Sequence, residues 1–368
     1  DGIVAAQPGV YYRDFEQKTL KKGYLLPSYP ASRELCALGG IVANNAGGEL
    51  TLEYGKTANF VRELKVVLAD GEEYILKKLT TKELNKKIKQ RNFEGDVYRQ
   101  TFQMLEKQYD AVKAAEPNVS KNSAGYNVWD VWDRKNFDLT KLFVGSQGTL
   151  GIITEVTFGL IKPKPESQML IVFLDRIDNL GNVVNTVLAA KPTTFESYDD
   201  KTLKLAITFA PELIKRLGVA NIFTIIKNAI PEFFSIVFHG LPKLVLQITF
   251  RGEDKMELRR RAEALARELK RYEPRYTEVV KDQREAEEYW LIRRESFNLL
   301  RNKIKDKQAA PFIDDFVVNP EHLPKFLPRL NRVLEQNDIT YTVAGHIGNG
   351  NFHIIPLMDL ADERQRRI

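Results

Sequence analysis

Two histidines, His346 and His353, stand seven residues apart in the stretch "GHIGNGNFH", with glycine and asparagine between them. If the chain loops back there, both imidazoles can meet at one cation or at one oxygen-rich ligand. The spacing alone does not decide for a metal. A second chemical group lies in "YWLIRRESF", where Arg293 and Arg294 offer a planar fork able to hold a carboxylate by two parallel hydrogen bonds. The competing reading is a surface helix whose arginines pair with Glu287, Glu288 or Glu295. A third kind of signal is glycine. "LGGIVANNAGG" and "FVGSQGTLGIITEV" offer turns dense in backbone N–H groups with no side chains in the way, suited to a phosphate or to the polar edge of a planar ring system. Ser32, Asn44, Asn45, Ser146 and Thr149 add short polar side chains for the same task. Each cluster alone reads as a tight turn; two in one chain favour a cofactor.

Neither glycine cluster is a P-loop, and neither has the glycine triplet that opens a helix in a dinucleotide fold. The first cluster lacks the period of an amphipathic helix and is too glycine-rich for a strand interior. The net charge of +6, from 55 Lys and Arg against 49 Asp and Glu, is too diffuse to argue for nucleic acid. One cysteine, Cys36, excludes an internal disulfide and any multi-cysteine metal or iron–sulfur site within this chain. No signal peptide and no run of about 18 apolar residues is present.

The elements that must position these groups fall into two regions. "VRELKVVLADGEEYIL" alternates apolar and polar residues around Asp70-Gly71, a hairpin signal. Strand text also covers Ile3–Val10 and returns over "KLFVGSQGTLGIITEVTFGLI", with a glycine-punctuated turn in its middle, after a helical excursion over Thr80–Ala115. "KPKPES", Lys162 to Ser167, is the best linker. Beyond it, strand and helix text alternate: "MLIVFL", "IDNLGNVVNTVLAA", "KLVLQITF", "DKMELRRRAEALARELKRY", "FIDDFVV", "LPKFLPRLNRVLEQN" and "TYTVAG". This predicts an α+β domain with helices on one face of a sheet. Residues 203–246, rich in Ile, Phe and Leu with interspersed Lys and Arg, read either as core helices or as an amphipathic segment in a membrane interface.

"YPASRELCALGGIVANNAGGELTLEYGKTANFVRELKVVLADGE" resembles the FAD-binding domain of the vanillyl-alcohol-oxidase type, and "LTKLFVGSQGTLGIITEVTFGLI" is similar to the closing half of that domain. The branch indicated is that of the FAD-linked 2-hydroxy-acid dehydrogenases and oxidases: D-lactate dehydrogenase, the glycolate oxidase flavin subunit and D-2-hydroxyglutarate dehydrogenase. The resemblance implies a two-domain α+β fold, with an FAD-binding domain over 1–162 and a substrate-binding cap on an antiparallel sheet over 163–368. It implies that Ala31, Ser32, Gly39, Gly40, Asn44, Asn45, Gly47, Gly48, Gly145, Ser146, Gly148, Gly151 and Ile153 line FAD. Tyr126 matches an aromatic residue before the second cluster. In the cap, Arg293 would hold the substrate carboxylate, with Lys307 a second contact. His346, His353 and Asn351 would serve the substrate, the two histidines binding a divalent metal such as Zn or Mn. Where the family motif usually carries aspartate this chain has Asn349, which removes a carboxylate near the site. His239 and His322 belong to no constellation. The reaction implied is oxidation of a 2-hydroxy acid to the 2-oxo acid, with electrons passed to a quinone or protein acceptor. The protein would be cytoplasmic, with peripheral contact to the inner face of a membrane through 203–246 as an option. The family's first glycine loop is expected upstream of Asp1, and its Glu-His-Gly element beyond Ile368.

Overall fold

The structure, a computed structural model, describes residues 2–208, 240–287, 289–290, 308–309, 315–337 and 339–367. The chain forms two compact units, Asp1–Pro163 and Lys164–Ile368. Arg293, Lys307, His239 and most of the 203–246 segment lie outside the described residues.

The first unit is built on strands β1 (Ile3–Ala6), β2 (Val61–Val67) and β3 (Glu73–Lys77). Short strands β4 (Leu79–Thr80) and β5 (Asn136–Phe137) pair with each other, and β6 (Ile152–Gly159) completes the main sheet. The main sheet runs β1-β6-β2-β3, all antiparallel. The Asp70-Gly71 turn joins β2 to β3 as the alternation predicts, with Gly71 at φ 85°. Leu64, Val66, Leu76, Val156 and Phe158 are buried side chains of these strands. Helices Thr81–Lys87, Phe93–Lys107 and Tyr109–Ala114 occupy the predicted helical excursion. The first of them starts at a capping box in which Thr80 and Glu83 bond reciprocally.

The first glycine cluster departs from expectation, because Leu38–Ala43 is a helix. Leu38, Ile41 and Val42 are buried at helical spacing, which a stretch this short hides between glycines. Its C-terminus is a Schellman motif: Asn45, at φ 44°, donates its N–H to Val42 O (3.0 Å), and Ala46 donates to Ile41 O (2.9 Å). An asparagine there tolerates the left-handed conformation that a helix end requires.

The second unit carries one eight-stranded antiparallel sheet. Its strands are β7 (Glu166–Leu174), β8 (Thr194–Asp199), β9 (Leu244–Gly252), β10 (Tyr276–Val279), β11 (Gln308–Ala309), β12 (Asp315–Val317), β13 (Thr340–Gly345) and β14 (Asn351–Met358). The order is β10-β7-β9-β8-β13-β14-β11, with β12 also paired to β14. Strand β8 has no counterpart among the predicted elements. Helices Leu180–Ala189, Lys255–Leu269 and Leu323–Gln336 were expected from the sequence pattern. Lys255–Leu269 packs on the sheet face that holds Phe250, with the Arg261 guanidinium 4.7 Å from that ring. Successive strand residues alternate faces, so Glu196, Tyr198 and Gln247 point to the opposite side.

Candidate functional site

In the first unit the two glycine clusters are knitted together. Gly145 donates its N–H to Val42 O (3.0 Å) and Gln147 to Ala43 O (2.9 Å), at the C-terminal end of the helix Leu38–Ala43. The Gln147 side-chain amide reaches Asn44 Oδ1 at 2.8 Å, and a Cβ on Gly145 would touch Asn45 Cβ at 3.2 Å. Gly145, Gln147 and Gly148 all have positive φ (94°, 56° and 76°), which shapes a tight reversal over the helix end. The Tyr126 hydroxyl lies 2.7 Å from Thr149 Oγ1, so this aromatic residue joins the second cluster.

The glycines divide by what stands against them. At Gly39 a Cβ would lie 2.6 Å from Pro8 Cβ, at Gly48 2.2 Å from Tyr29 O, and at Gly47 2.5 Å from Thr51 Oγ1. These three are required by the chain's own close packing. Gly151 likewise approaches Val67 O. Gly40 and Gly148 are different: both are exposed, and a Cβ on either would meet nothing within 4 Å beyond its own local backbone. Asn44 and Gln147 are exposed beside them. Asn45 is buried, and its Oδ1 accepts from Ala58 N at 3.0 Å, so it braces the turn from within. Ser146 is buried, while Ala31 and Ser32 are exposed in the turn that leads to the helix. Ile153 sits in β6 opposite Val66.

A cleft of about 190 Å³ opens beside this region, lined by Asn45, Lys56, Asn59, Asn122, Trp129 and Gly145 among others. Lys56 is buried there and donates to Asn122 O at 2.8 Å and to the Ser123 hydroxyl. The cleft is smaller than the roughly 300 Å³ at which sites begin to enclose whole drug-sized ligands. It fits one portion of a flavin dinucleotide, with the exposed strip of Gly40, Asn44 and Gly148 as an open surface for another. A surface clear of Cβ atoms, on turns already fixed, suits a flat ring system.

In the second unit the hairpin β13–β14 brings the two predicted histidines together. Their rings lie 5.6 Å apart, centroid to centroid, and nearly perpendicular at 86°. Gly350, at φ 63°, makes the reversal, since a Cβ there would collide with the carbonyl oxygen of Val318. Asn349 N–H donates to His346 O (2.9 Å) and Asn351 N–H to the same oxygen (3.2 Å), which closes the loop. The sheet register then gathers the polar groups. Tyr198, Ala344, His353 and Asp315 form one cross-strand row on β8, β13, β14 and β12. Two residues along, Glu196 on β8 and Asn351 on β14 share that face with them.

Glu196 is wholly buried, and its Oε1 lies 2.6 Å from His346 Nδ1. Asp315 is more exposed, 3.7 Å from His353 Nδ1, and it accepts from the Asn351 amide, which also donates to Phe316 O at 2.9 Å. Gln247, opposite Glu196 in register, is buried and donates to Tyr289 O at 2.8 Å. Glu196 and Asp315 were not singled out in the sequence. The available signal was a glutamate inside "TTFESYD", since a carboxylate among strand residues stays buried only when it is paired.

Among the described residues no group of three or more His, Cys, Asp and Glu side chains is placed to hold a metal ion. His346 and His353 give two imidazoles where a zinc site takes three or four protein ligands, so these residues do not by themselves fit a metal. His322 is remote from the pair in sequence and exposed, 3.7 Å from Glu321. Among the described residues no helix is long and apolar enough to cross a membrane. At the margins of the 203–246 segment, Leu203, Leu244 and Leu246 are buried in the second unit.

Comparison with known proteins agrees with these two units. The chain is 24% identical over 373 residues to D-2-hydroxyglutarate dehydrogenase of Escherichia coli (strain K12), covering 99% of this chain and 35% of that protein. It is 26% identical over 365 residues to glycolate oxidase subunit GlcD of Bacillus subtilis (strain 168), covering 98% and 61%. It thus spans about a third of the length of the first of these relatives and less than two thirds of the second. Among solved structures it superposes on alkyldihydroxyacetonephosphate synthase with a TM-score of 0.62 at 15% identity, covering 100% of this chain and 57% of that one. On p-cresol methylhydroxylase the TM-score is 0.61 at 15% identity, covering 99% and 64%. These neighbours establish the vanillyl-alcohol-oxidase type of fold. Residues 1–77 match the FAD binding domain, so the cofactor is FAD. Because residues 163–367 match the C-terminal domain of FAD linked oxidases, more than half of the chain carries that signature, and the protein belongs to the FAD-linked oxidase family.

Proposed function

We propose that the protein oxidises a 2-hydroxy acid of the D-lactate, glycolate or D-2-hydroxyglutarate class to its 2-oxo acid and delivers the electrons to a quinone or a protein acceptor. The observation that carries this reading is the histidine hairpin: two imidazoles and Asn351 on one sheet face, with a buried carboxylate behind His346. The names of the relatives support the substrate class.

Bound FAD supplies the acceptor for a hydride equivalent from the substrate α-carbon. The chain's own residues do the rest. His346, through Nε2, takes the hydroxyl proton, and His353 orients the same end of the substrate by hydrogen bonding. Arg293 holds the carboxylate in two parallel hydrogen bonds. Asn351 fixes Asp315 and the β12 backbone, which keeps the face rigid beneath the substrate. In the first unit, Gly40 and Gly148 leave room for the flavin ring, with Asn44 offering its side chain at the edge; Ala31, Ser32, Asn45, Ser146 and Ile153 shape the surrounding turns. A divalent cation on His346 and His353 would need further ligands from outside the described residues, and no step is assigned to it.

The test is a visible spectrum of the full-length gene product, followed by anaerobic addition of D-lactate, glycolate and D-2-hydroxyglutarate. Flavin absorption that bleaches with at least one of them is expected. Arg293→Lys should then raise KM for that acid by roughly tenfold or more, because lysine cannot reproduce the bidentate contact. A yellow protein that bleaches with none of the three, or only with an alcohol lacking a carboxylate, refutes the assignment.

A further inference from the structure

We propose that the first unit carries a docking face for an anionic phospholipid surface, built from the lysines between β3 and the helix Phe93–Lys107. The net charge of +6, diffuse by composition, is concentrated in one stretch of the chain. Residues 77–91 hold seven Lys and Arg against one acid, Glu83, and so match the excess of all 368 residues. Lys77, Lys78, Lys82, Lys86, Lys89 and Arg91 are exposed. The fold keeps them together. Leu84 is buried, and Lys82 and Lys86 stand four residues apart on the opposite side of the helix Thr81–Lys87. Pairing of β4 with β5, and the bond from Thr81 Oγ1 to Lys135 O (3.0 Å), bring the exposed Lys135 beside the start of that helix. Arg99 donates to Ile88 O at 2.5 Å, and a Cβ on Gly95 would stand 2.3 Å from Gln90 O, so the turn carrying Lys89 and Arg91 is pressed onto the next helix.

The acids nearby are taken up by internal tasks. Glu83 accepts from the Thr80 N–H and hydroxyl at 2.8 and 2.7 Å. These bonds, with Lys77 and Lys86 close by, hold its carboxyl below the ordinary range. Glu94 is buried and paired with Lys87, and Asp96 is paired with Arg99. Asp133 accepts from the N–H groups of Lys135 and Asn136 at 2.8 and 2.5 Å. The face therefore presents cations outward. Its chemistry selects the partner. Protein interfaces are depleted in lysine and enriched in arginine, whereas flexible lysine point charges suit a fluid layer of anionic head groups. Single-stranded nucleic acid calls for a row of aromatic platforms along a groove, and this face offers one aromatic ring. That ring is Phe93, 39% exposed and two residues beyond Arg91, placed to enter the head-group region beside the cations. Clusters of this size on a helix bind anionic lipid through additive attraction.

The test is co-sedimentation of the full-length, flavin-loaded protein with two kinds of vesicle, phosphatidylcholine alone and an equimolar mixture with phosphatidylserine. Binding to the mixed vesicles only is expected, and added salt should release it. Each cation near such a surface strengthens partitioning about fivefold, so Lys77→Gln/Lys82→Gln/Lys86→Gln/Lys89→Gln should weaken it by about two orders of magnitude or more. Arg267→Gln/Lys325→Gln/Arg329→Gln/Arg332→Gln removes the same charge from exposed positions of the second unit and should cost far less. All eight side chains are exposed, and circular dichroism and flavin content should be unchanged in both variants. Phe93→Ser should weaken binding and leave its salt dependence as it was. A wild type that ignores the mixed vesicles, equal losses in the two quadruple variants, or full binding by the lysine variant overturns the inference. So does binding to a DNA duplex in place of the vesicles, which would make this a face for nucleic acid. No substrate enters the measurement, so its failure and that of the hydroxy-acid reading are told apart.

Discussion

Gly40 occupies a helix, where glycine is unfavourable relative to alanine by about 0.5–1 kcal/mol, yet none of the described residues crowds the place its Cβ would take. Its neighbours Gly39, Gly47 and Gly48 are explained by backbone and side chains pressed against them. For Gly40 we propose a ligand instead. Gly40→Ala should therefore raise the melting temperature of flavin-free protein while lowering its flavin content, read from absorbance of the purified protein. Unaltered flavin content would mean that Gly40 does not face the cofactor. At this scale the sequence was informative where residue types are rare. Four histidines in 368 residues made the pair at 346 and 353 stand out, and the hairpin brings them together. Glu196 was not visible in the same way, because 49 acidic residues give no reason to prefer one until a strand buries it.

Strand β8 ends on Asp199, whose Oδ1 accepts from the N–H and the hydroxyl of Thr202 at 2.8 and 2.7 Å and whose Oδ2 accepts from Val343 N at 3.2 Å. One carboxylate thus joins β8, the start of the helix Asp200–Thr208 and β13. Burial pushes its pKa up to about 6, against the lowering effect of the Thr202 hydrogen bonds. Between about pH 4 and 6 the folded chain holds a proton that the unfolded chain has released, so Asp199 makes stability fall as pH rises through that window and adds no slope above it. The full shift corresponds to about 3 kcal/mol, an upper bound because the side chain keeps partial contact with water. Asp199→Asn should flatten this part of the profile of stability against pH, measured by urea midpoints from pH 4 to 7. An identical slope in both proteins would show that Asp199 titrates like an exposed acid. Elements with a clean period were legible: the hairpin around Asp70-Gly71, and the helices Lys255–Leu269 and Leu323–Gln336. Two escaped. The helix Leu38–Ala43 shows only three apolar positions between glycines, and β8 mixes Thr, Glu and Ser with its aromatics because it is buried on both faces within a polar site.

The two units have separate sheets, of four and eight strands, and among the described residues no strand is shared between them. The α+β class was legible because alternation and helix period recur along the chain, whereas the antiparallel cap followed from the family resemblance. The strand order was not, since β8 enters between β9 and β13 and β6 between β1 and β2, pairings that depend on contacts far apart in sequence.

One of those long-range joins is the clasp between residues 42–44 and 145–147, which closes a loop of about a hundred residues with hydrogen bonds of the chain's own making. On the proposed function, the surface that these turns offer to FAD is assembled before anything binds to it. Uptake is then a docking event with little ordering left to do, and the amides of Gly145 and Gln147 should exchange slowly with deuterium even in flavin-free protein. Fast exchange at both, slowed only by added FAD, would mean that the ligand builds this surface itself.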